Sequence, residues 1–239
     1  MNDDWNVAID NLYTVFTGYR RPSRLDASPT RDPVAIMRDL SSAPLRELPA
    51  NMIGPYAGHA LTTVGSASAY RHFLPRIIEL CITRNGWMGL EPEQIARTLN
   101  YGHWRTWAED AQAAILRAFV TGWFKTRAET PDDFNSVDVL CALAILGEDV
   151  ALLLAEWTTP SSAGEVRQMA GHVQTAAELD SWVYWKQAGA ANQHALWNWA
   201  RSAVVQAGLE EGAIAFAADA VLWEIDRARL DISASAAPD

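Results

Sequence analysis

At 239 residues and 49% hydrophobic, the chain can bury a sizeable core, so one helical domain over 1–239, or two packed lobes within it, is the expected organisation. Its formal net charge of −10 is lopsided: residues 1–130 carry 14 basic and 13 acidic side chains, residues 131–239 carry 5 and 16, giving +1 and −11. An acidic lobe of that kind excludes nucleic acid and anionic membrane as its partners, because both need the opposite sign.

In chain order, nearly every segment reads as helix. Residues 3–17 place Trp5, Ile9, Leu12, Tyr13 and Phe16 on one stripe, and Gly18 ends it. Residues 20–33 change to Arg, Pro, Ser and Asp, which predicts a loop, and Pro33 then starts a short helix through Leu40. Residues 43–65 read as two short helices broken at Pro49 or Pro55. After them comes a helix through Phe73, Leu74, Ile77, Ile78 and Leu80, ending near Thr83, in which Pro75 marks a kink or a start.

Glu91-Pro92 opens the next helix with Ile95 and Leu99 inward, and Gly102 stops it. Thr106-Trp107-Ala108-Glu109 reads as a capping box for the central helix, whose stripe runs Trp107, Ala111, Ala114, Ile115, Ala118, Phe119, Gly122, Trp123. Thr130-Pro131-Asp132-Asp133 predicts a further start, with acids where the helix dipole favours them. Residues 137–146 and 149–157, parted by Gly147, form an apolar hairpin that must be sandwiched between other helices. Ser162-Ala163-Gly164-Glu165 is a second capping box, opening a helix into the Leu179 region. Trp182, Trp185, Leu196 and Trp199 mark a helical pair around Gly189. The last helix is expected over about 210–230, with Ile214, Ala218, Val221, Ile225 and Ala228 inward and a frayed tail from Ile232. The fold class is therefore all-α: a multi-helix bundle, or an irregular α-solenoid-like stack of antiparallel helices, since no repeat period emerges.

Candidate sites are few. His72, Arg76 and Glu79 fall four and three residues apart on one helical face, with Arg71 beside them: either an anion or ligand face or an intrahelical ion pair beside a packed histidine. His59, His103, His172 and His194 have no metal-ligand spacing, so no metal is expected. The acids around Asp132, Asp133 and Asp138 resemble a magnesium motif only superficially and are read as a helix cap. Cys81 and Cys141 are too few for a disulfide framework and are read as buried, inert thiols of a reducing compartment. No nucleophile elbow, phosphate loop or dinucleotide fingerprint occurs, so no catalytic set and no cofactor are expected. His103-Trp104-Arg105 and Trp197-Asn198-Trp199 are candidate binding elements, because Trp197 and Trp199 cannot share one helix face. Met1-Asn2-Asp3-Asp4-Trp5 opens on acid without a leader-type apolar run, and the longest apolar stretch, 139–154, is too short for a bilayer. A cytoplasmic protein is expected.

Leu45-Arg46-Glu47-Leu48, Tyr56-Ala57, Ala60-Leu61-Thr62-Thr63-Val64-Gly65 and the run from Tyr70 through Phe73-Leu74-Pro75-Arg76-Ile77-Ile78-Glu79-Leu80 resemble an uncharacterised bacterial all-helical family. The opening helix with Phe16, Tyr19 and Pro22 fits the same pattern, which spans about residues 5–125. Relatives often carry cysteines in the loop after the first helix. Asp26-Ala27-Ser28-Pro29 stands there in this chain, so no metal role carries over. The resemblance brings no activity with it, but small cytosolic proteins of this kind resemble those encoded beside secreted toxins.

Composition and resemblance together lead to the expectation of a non-enzymatic immunity or inhibitor protein that occludes a basic toxin domain. Glu148, Asp149, Glu210 and Glu211 would steer that basic protein partner, with Trp197 as an anchor. The alternatives are a helical enzyme or ligand-binding protein with a pocket near Arg71, His72 and Arg76, and a helical scaffold without an inhibitory target.

Overall fold

The computed structural model describes residues 2–83, 88–129, 136–216 and 219–238. It is all-α, with twelve α-helices and no strand among the described residues; pairing of extended backbone is limited to isolated bridges of Val64 with Ala27 and Ala60. The chain divides into two compact units, Met1–Gly122 and Trp123–Asp239.

The first unit contains α1 (Asn2–Val15), α2 (Pro33–Leu40), α3 (Ala50–Ala57), α4 (Ala67–Thr83), α5 (Pro92–Tyr101) and most of α6 (Glu109–Arg127), within which the division falls. Four of the five stripe residues of α1 are buried, Trp5, Ile9 and Leu12 in the helix and Phe16 in a 3-10 turn after it, while Tyr13 is half-buried. Asp32 caps α2 by accepting from the amides of Val34 and Ala35. Of the two expected break points Pro49 is the one used: it parts the 3-10 turn Leu45–Glu47 from α3, whereas Pro55 lies inside α3. Pro75 likewise lies inside α4 and starts nothing; the helix keeps its place because Phe73, Leu74, Ile77 and Ile78 are wholly buried around it. α4 packs against α1, α3 and α5 and forms the axis of the unit.

The capping box expected at Thr106 is absent. His103 adopts a left-handed conformation, φ 51°, and a 3-10 turn over Trp104–Thr106 follows it. The Thr106 hydroxyl donates to the His103 carbonyl at 2.8 Å, and Thr106 belongs to that 3-10 turn rather than preceding the first turn of α6, which starts at Glu109. Gln112 instead reaches back to the carbonyls of Arg105 and Trp107. Trp104 is fully buried and donates to Asn100 at 2.8 Å, with Arg105 lying over its ring, which removes it as an exposed binding element.

The second unit contains α7 (Ser136–Ile145), α8 (Val150–Ala155), α9 (Ala163–Ala177), α10 (Ala190–Arg201), α11 (Ala203–Phe216) and α12 (Asp219–Ala234). α9 is central, packing against α7, α10, α11 and α12. Its start departs from the simple box: Ser162 accepts from the Glu165 amide, but the Glu165 carboxylate takes the amide and hydroxyl of Ser161. α7 is enclosed on nearly every side, whereas α8 is not sandwiched, because Leu152 stands 73% exposed. Trp182 and Trp185 belong to no α-helix: 3-10 turns at Leu179–Ser181 and Trp185–Gln187 bridge α9 to α10, and Gly189 turns the chain with φ 84°.

The expected single last helix is two, α11 and α12. Ile225 and Ala228 are buried as expected, but Ile214 points outward, 83% exposed. Helix α12 continues through Ala234, past the expected start of the tail at Ile232. Arg201 Nη1 donates to the carbonyls of Ile232 (2.8 Å) and Ser235 (3.1 Å), closing the end of α12 with a cation where the helix dipole calls for one. The start expected at Thr130–Asp133 and the inward positions of Ala218 and the Val221 side chain lie outside the described residues.

Candidate functional site

Within the first unit, the α4 face predicted from spacing is a polar staple. Arg76 Nε donates to the Leu48 carbonyl at 2.8 Å, and its Nη1 donates to Glu79 Oε2 at 2.8 Å. The same carboxylate oxygen receives the Tyr13 hydroxyl at 2.6 Å, so the Arg76–Glu79 pair joins α4 to α1 through its carboxylate and to the turn before α3 through its guanidinium. Burial, and then Glu79, hold the Tyr13 phenol far above its ordinary range, so it stays protonated and donates. His72 donates from Nδ1 to the Tyr19 carbonyl at 2.7 Å, and burial pushes its pKa down. Arg71 lies over the rings of Trp107 (4.3 Å) and Tyr19 (5.3 Å). The candidates grouped from sequence therefore diverge in space: Arg76 and Glu79 pair, while Arg71 and His72 turn toward Tyr19.

Beside this staple runs an open groove of about 520 Å³, lined by Tyr13, Phe16, Tyr19, Arg46, His72 and Pro75 among others. Arg46 pairs with Asp10 and stacks on the Tyr13 ring at 4.3 Å. Neither Arg71 nor Arg76 lines the groove. The chemistry available there is that of a mixed-charge surface: the phenol is locked protonated by its own acceptor, and no nucleophile is hydrogen-bonded to a free base. Among the described residues, no group of three or more histidine, cysteine, aspartate or glutamate side chains is placed to hold a metal.

The second unit is built around tryptophan. Trp157 stacks on Trp199 with centroids 5.6 Å apart, and meets Trp123 and His172 edge-on at 5.8 and 5.0 Å. Trp199 donates to the Trp157 carbonyl at 3.0 Å. Arg127 lays its guanidinium over Trp123 (4.9 Å), Phe124 (4.6 Å) and Trp157 (5.4 Å). His172 is wholly buried and donates from Nδ1 to the Gln168 carbonyl at 2.8 Å. Its pKa is pushed down to about 4, chiefly by burial and further by Arg127, with the hydrogen bond opposing. Sequence reasoning missed this cluster, since only Trp123 and Arg127 share a helix spacing, while Trp157, His172 and Trp199 come from separate segments.

The acidic candidates have separate duties. Asp149 caps α8 through the Ala151 amide. Glu210 pairs with Arg229 at 3.3 Å. Glu148 is half-buried, with its carbonyl accepting from Asn192, and Glu211 is exposed on α11. Trp197 is half-buried, donates to Ser235 at 3.1 Å, and carries Arg201 on its ring at 4.8 Å, so the tail covers part of it.

The charge, by contrast, follows the structural division closely. Residues 1–122 carry 12 basic and 12 acidic side chains, and residues 123–239 carry 7 and 17, so the whole −10 rests on the second unit. No helix among the described residues is long and apolar enough to cross a membrane. No family model, curated protein or solved structure matches the chain.

Proposed function

We propose that this is a non-catalytic binding protein whose second unit docks a basic protein partner in the cytoplasm. In its sharpest form it is an immunity or inhibitor protein that covers the active site of a basic toxin domain. The observation that carries the reading is the segregation of charge: one unit is neutral by formal count and the other holds all ten net negative charges. A potential of that sign raises the rate of encounter with a cationic partner and repels nucleic acid and anionic lipid. The toxin-directed form rests additionally on the family resemblance of residues 45–80.

Capture of partners on the tagged protein at low salt, from the organism that encodes it, tests the reading when followed by assay of the captured protein's own activity. A stoichiometric basic partner that is released as salt rises, and silenced while bound, is the expected result. A partner set without basic character, or capture indifferent to salt, refutes it. The groove beside Tyr13 and His72 supports a second reading, a small-ligand site in the first unit; a thermal-shift screen with Arg46→Ala as the control checks it.

A further inference from the structure

The outer faces of α11 and α12 carry more apolar surface than a solvated hairpin needs. Scattered exposed leucines are ordinary on any protein. Here, five of the twelve large apolar side chains exposed among the described residues fall on these two helices: Val204, Ile214, Leu222 and Leu230, and Phe216 at the end of α11 in register with its inner face. Ile214 is 83% exposed and Leu230 68%. The inner faces are already seated, because Val205, Leu209, Ile225 and Ile232 are buried and both helices pack against α9. The outer apolar positions are thus not needed to hold the hairpin. Leu222, Asp226 and Leu230 follow one another at four-residue steps along α12, and Glu211 precedes Ile214 by three on α11. Each helix therefore sets a carboxylate among exposed apolar side chains. The hairpin's basic residues Arg227 and Arg229 are paired with Asp231 and Glu210, whereas Glu211 and Asp226 make no ion pair among the described residues.

Resting on the reading above, we infer that this outer face is where the partner docks, and that it takes a cationic amphipathic segment. Apolar side chains of that segment would cover Ile214 and Leu230, and its Lys or Arg would lie over Glu211 and Asp226. Charge decides between occupants. A second copy of the chain would bring like-charged faces together in a unit already at −10, and an anionic membrane would be repelled. A basic, apolar-faced peptide surface meets both features at once.

The test uses the full chain and two fluorescent probes, a Leu/Lys amphipathic helix and an oligolysine of equal charge, read by anisotropy across a salt series. Wild type is expected to hold the Leu/Lys helix more tightly. Ile214→Ser with Leu230→Ser should weaken that probe by at least about tenfold and leave oligolysine nearly unchanged. Glu211→Gln with Asp226→Asn should weaken both and flatten the salt dependence. All four side chains are exposed, and an unchanged Tm verifies that folding is intact. If the apolar pair variant binds the Leu/Lys helix as wild type does while oligolysine still binds, the docking face is wrong and the acidic-unit reading survives. If neither probe binds wild type at low salt, both fall. A wild-type dimer in sedimentation that disappears in the Ile214/Leu230 variant overturns the proposal in favour of a second copy.

Discussion

Gly208→Ala should destabilise the second unit, although alanine is the better helix former. A Cβ built at Gly208 would lie 2.0 Å from the Thr158 carbonyl oxygen and 3.2 Å from the Thr159 Cα. An ordinary contact needs more than 1 Å of additional separation, and both partners are backbone, so no side chain can rotate aside. The intrinsic gain on replacing glycine inside a helix is about 1 kcal/mol. Against it, α11 must lift off the 158–160 segment, loosening Val205 and Leu209, both wholly buried. A gap of 0.5–1 Å forfeits roughly a quarter to a half of each dispersion contact, and forced overpacking costs about 1–3 kcal/mol or more. The clash wins, leaving a net loss of about 2 kcal/mol. Urea unfolding followed by tryptophan fluorescence reads it well, because Trp157 immediately precedes the clashing loop and stacks on Trp199. With a urea slope of about 2 kcal/mol/M the midpoint should fall by about 1 M. Gly18→Ala, whose Cβ would meet nothing within 4 Å, serves as the control and should be neutral or slightly stabilising. A Gly208→Ala variant as stable as wild type would refute the seating of α11 on that loop.

Three further outcomes are expected. His172 is neutral in the fold with a pKa about 4, below the ordinary 6.5, so the unfolded chain binds the extra proton between those values. Its contribution is complete above about pH 6.5 and is lost as pH falls toward 4, about 3 kcal/mol in all; His172→Leu should flatten the stability profile across that window. Arg201→Ala removes the donor to the Ile232 and Ser235 carbonyls and should cost roughly 2 kcal/mol, with residues 232–238 becoming sensitive to carboxypeptidase. In the staple, Arg76→Ala should cost about 2 kcal/mol, discounted because Glu79 keeps 26% exposure, while Tyr13→Phe should cost about 1; chemical denaturation compares them.

Much of the fold was legible because large apolar side chains recur where helices bury a stripe. The spacing of Trp5, Ile9, Leu12 and Phe16, and of Ala111 through Trp123, led directly to buried faces. Local grammar was legible where one reading had no competitor, as at Pro33 and Pro92. It misled at Thr106, where a left-handed His103 starts a 3-10 turn and the hydroxyl donates to the His103 carbonyl, while the α-helix begins only at Glu109. Contacts between distant segments left no trace at all: Tyr13 with Glu79, Arg127 with Trp157 and Arg201 with the tail are each set by tertiary packing.

The error over Ile214 explains more than the successes do, because it follows from the rule that otherwise worked. Periodicity assigns the inner face of a helix to its largest apolar residues. On α11 the inner face is instead Val205, Gly208, Leu209, Gly212 and Ala213. Gly208 and Gly212 are one turn apart, and a Cβ on either would strike the 158–160 segment, at 2.0 Å from Thr158 and 2.5 Å from Pro160. Close approach thus requires small residues inward, and with that choice made, Ile214 is turned outward by helix geometry alone. A large aliphatic side chain retained on that outer face contributes nothing to seating α11. The same two glycines that defeat the periodic reading therefore leave an apolar surface beside Glu211, which is why stability at Gly208 and binding at Ile214 should separate cleanly in experiment. Substitution at the first should lower the urea midpoint, and substitution at the second should change affinity at constant Tm.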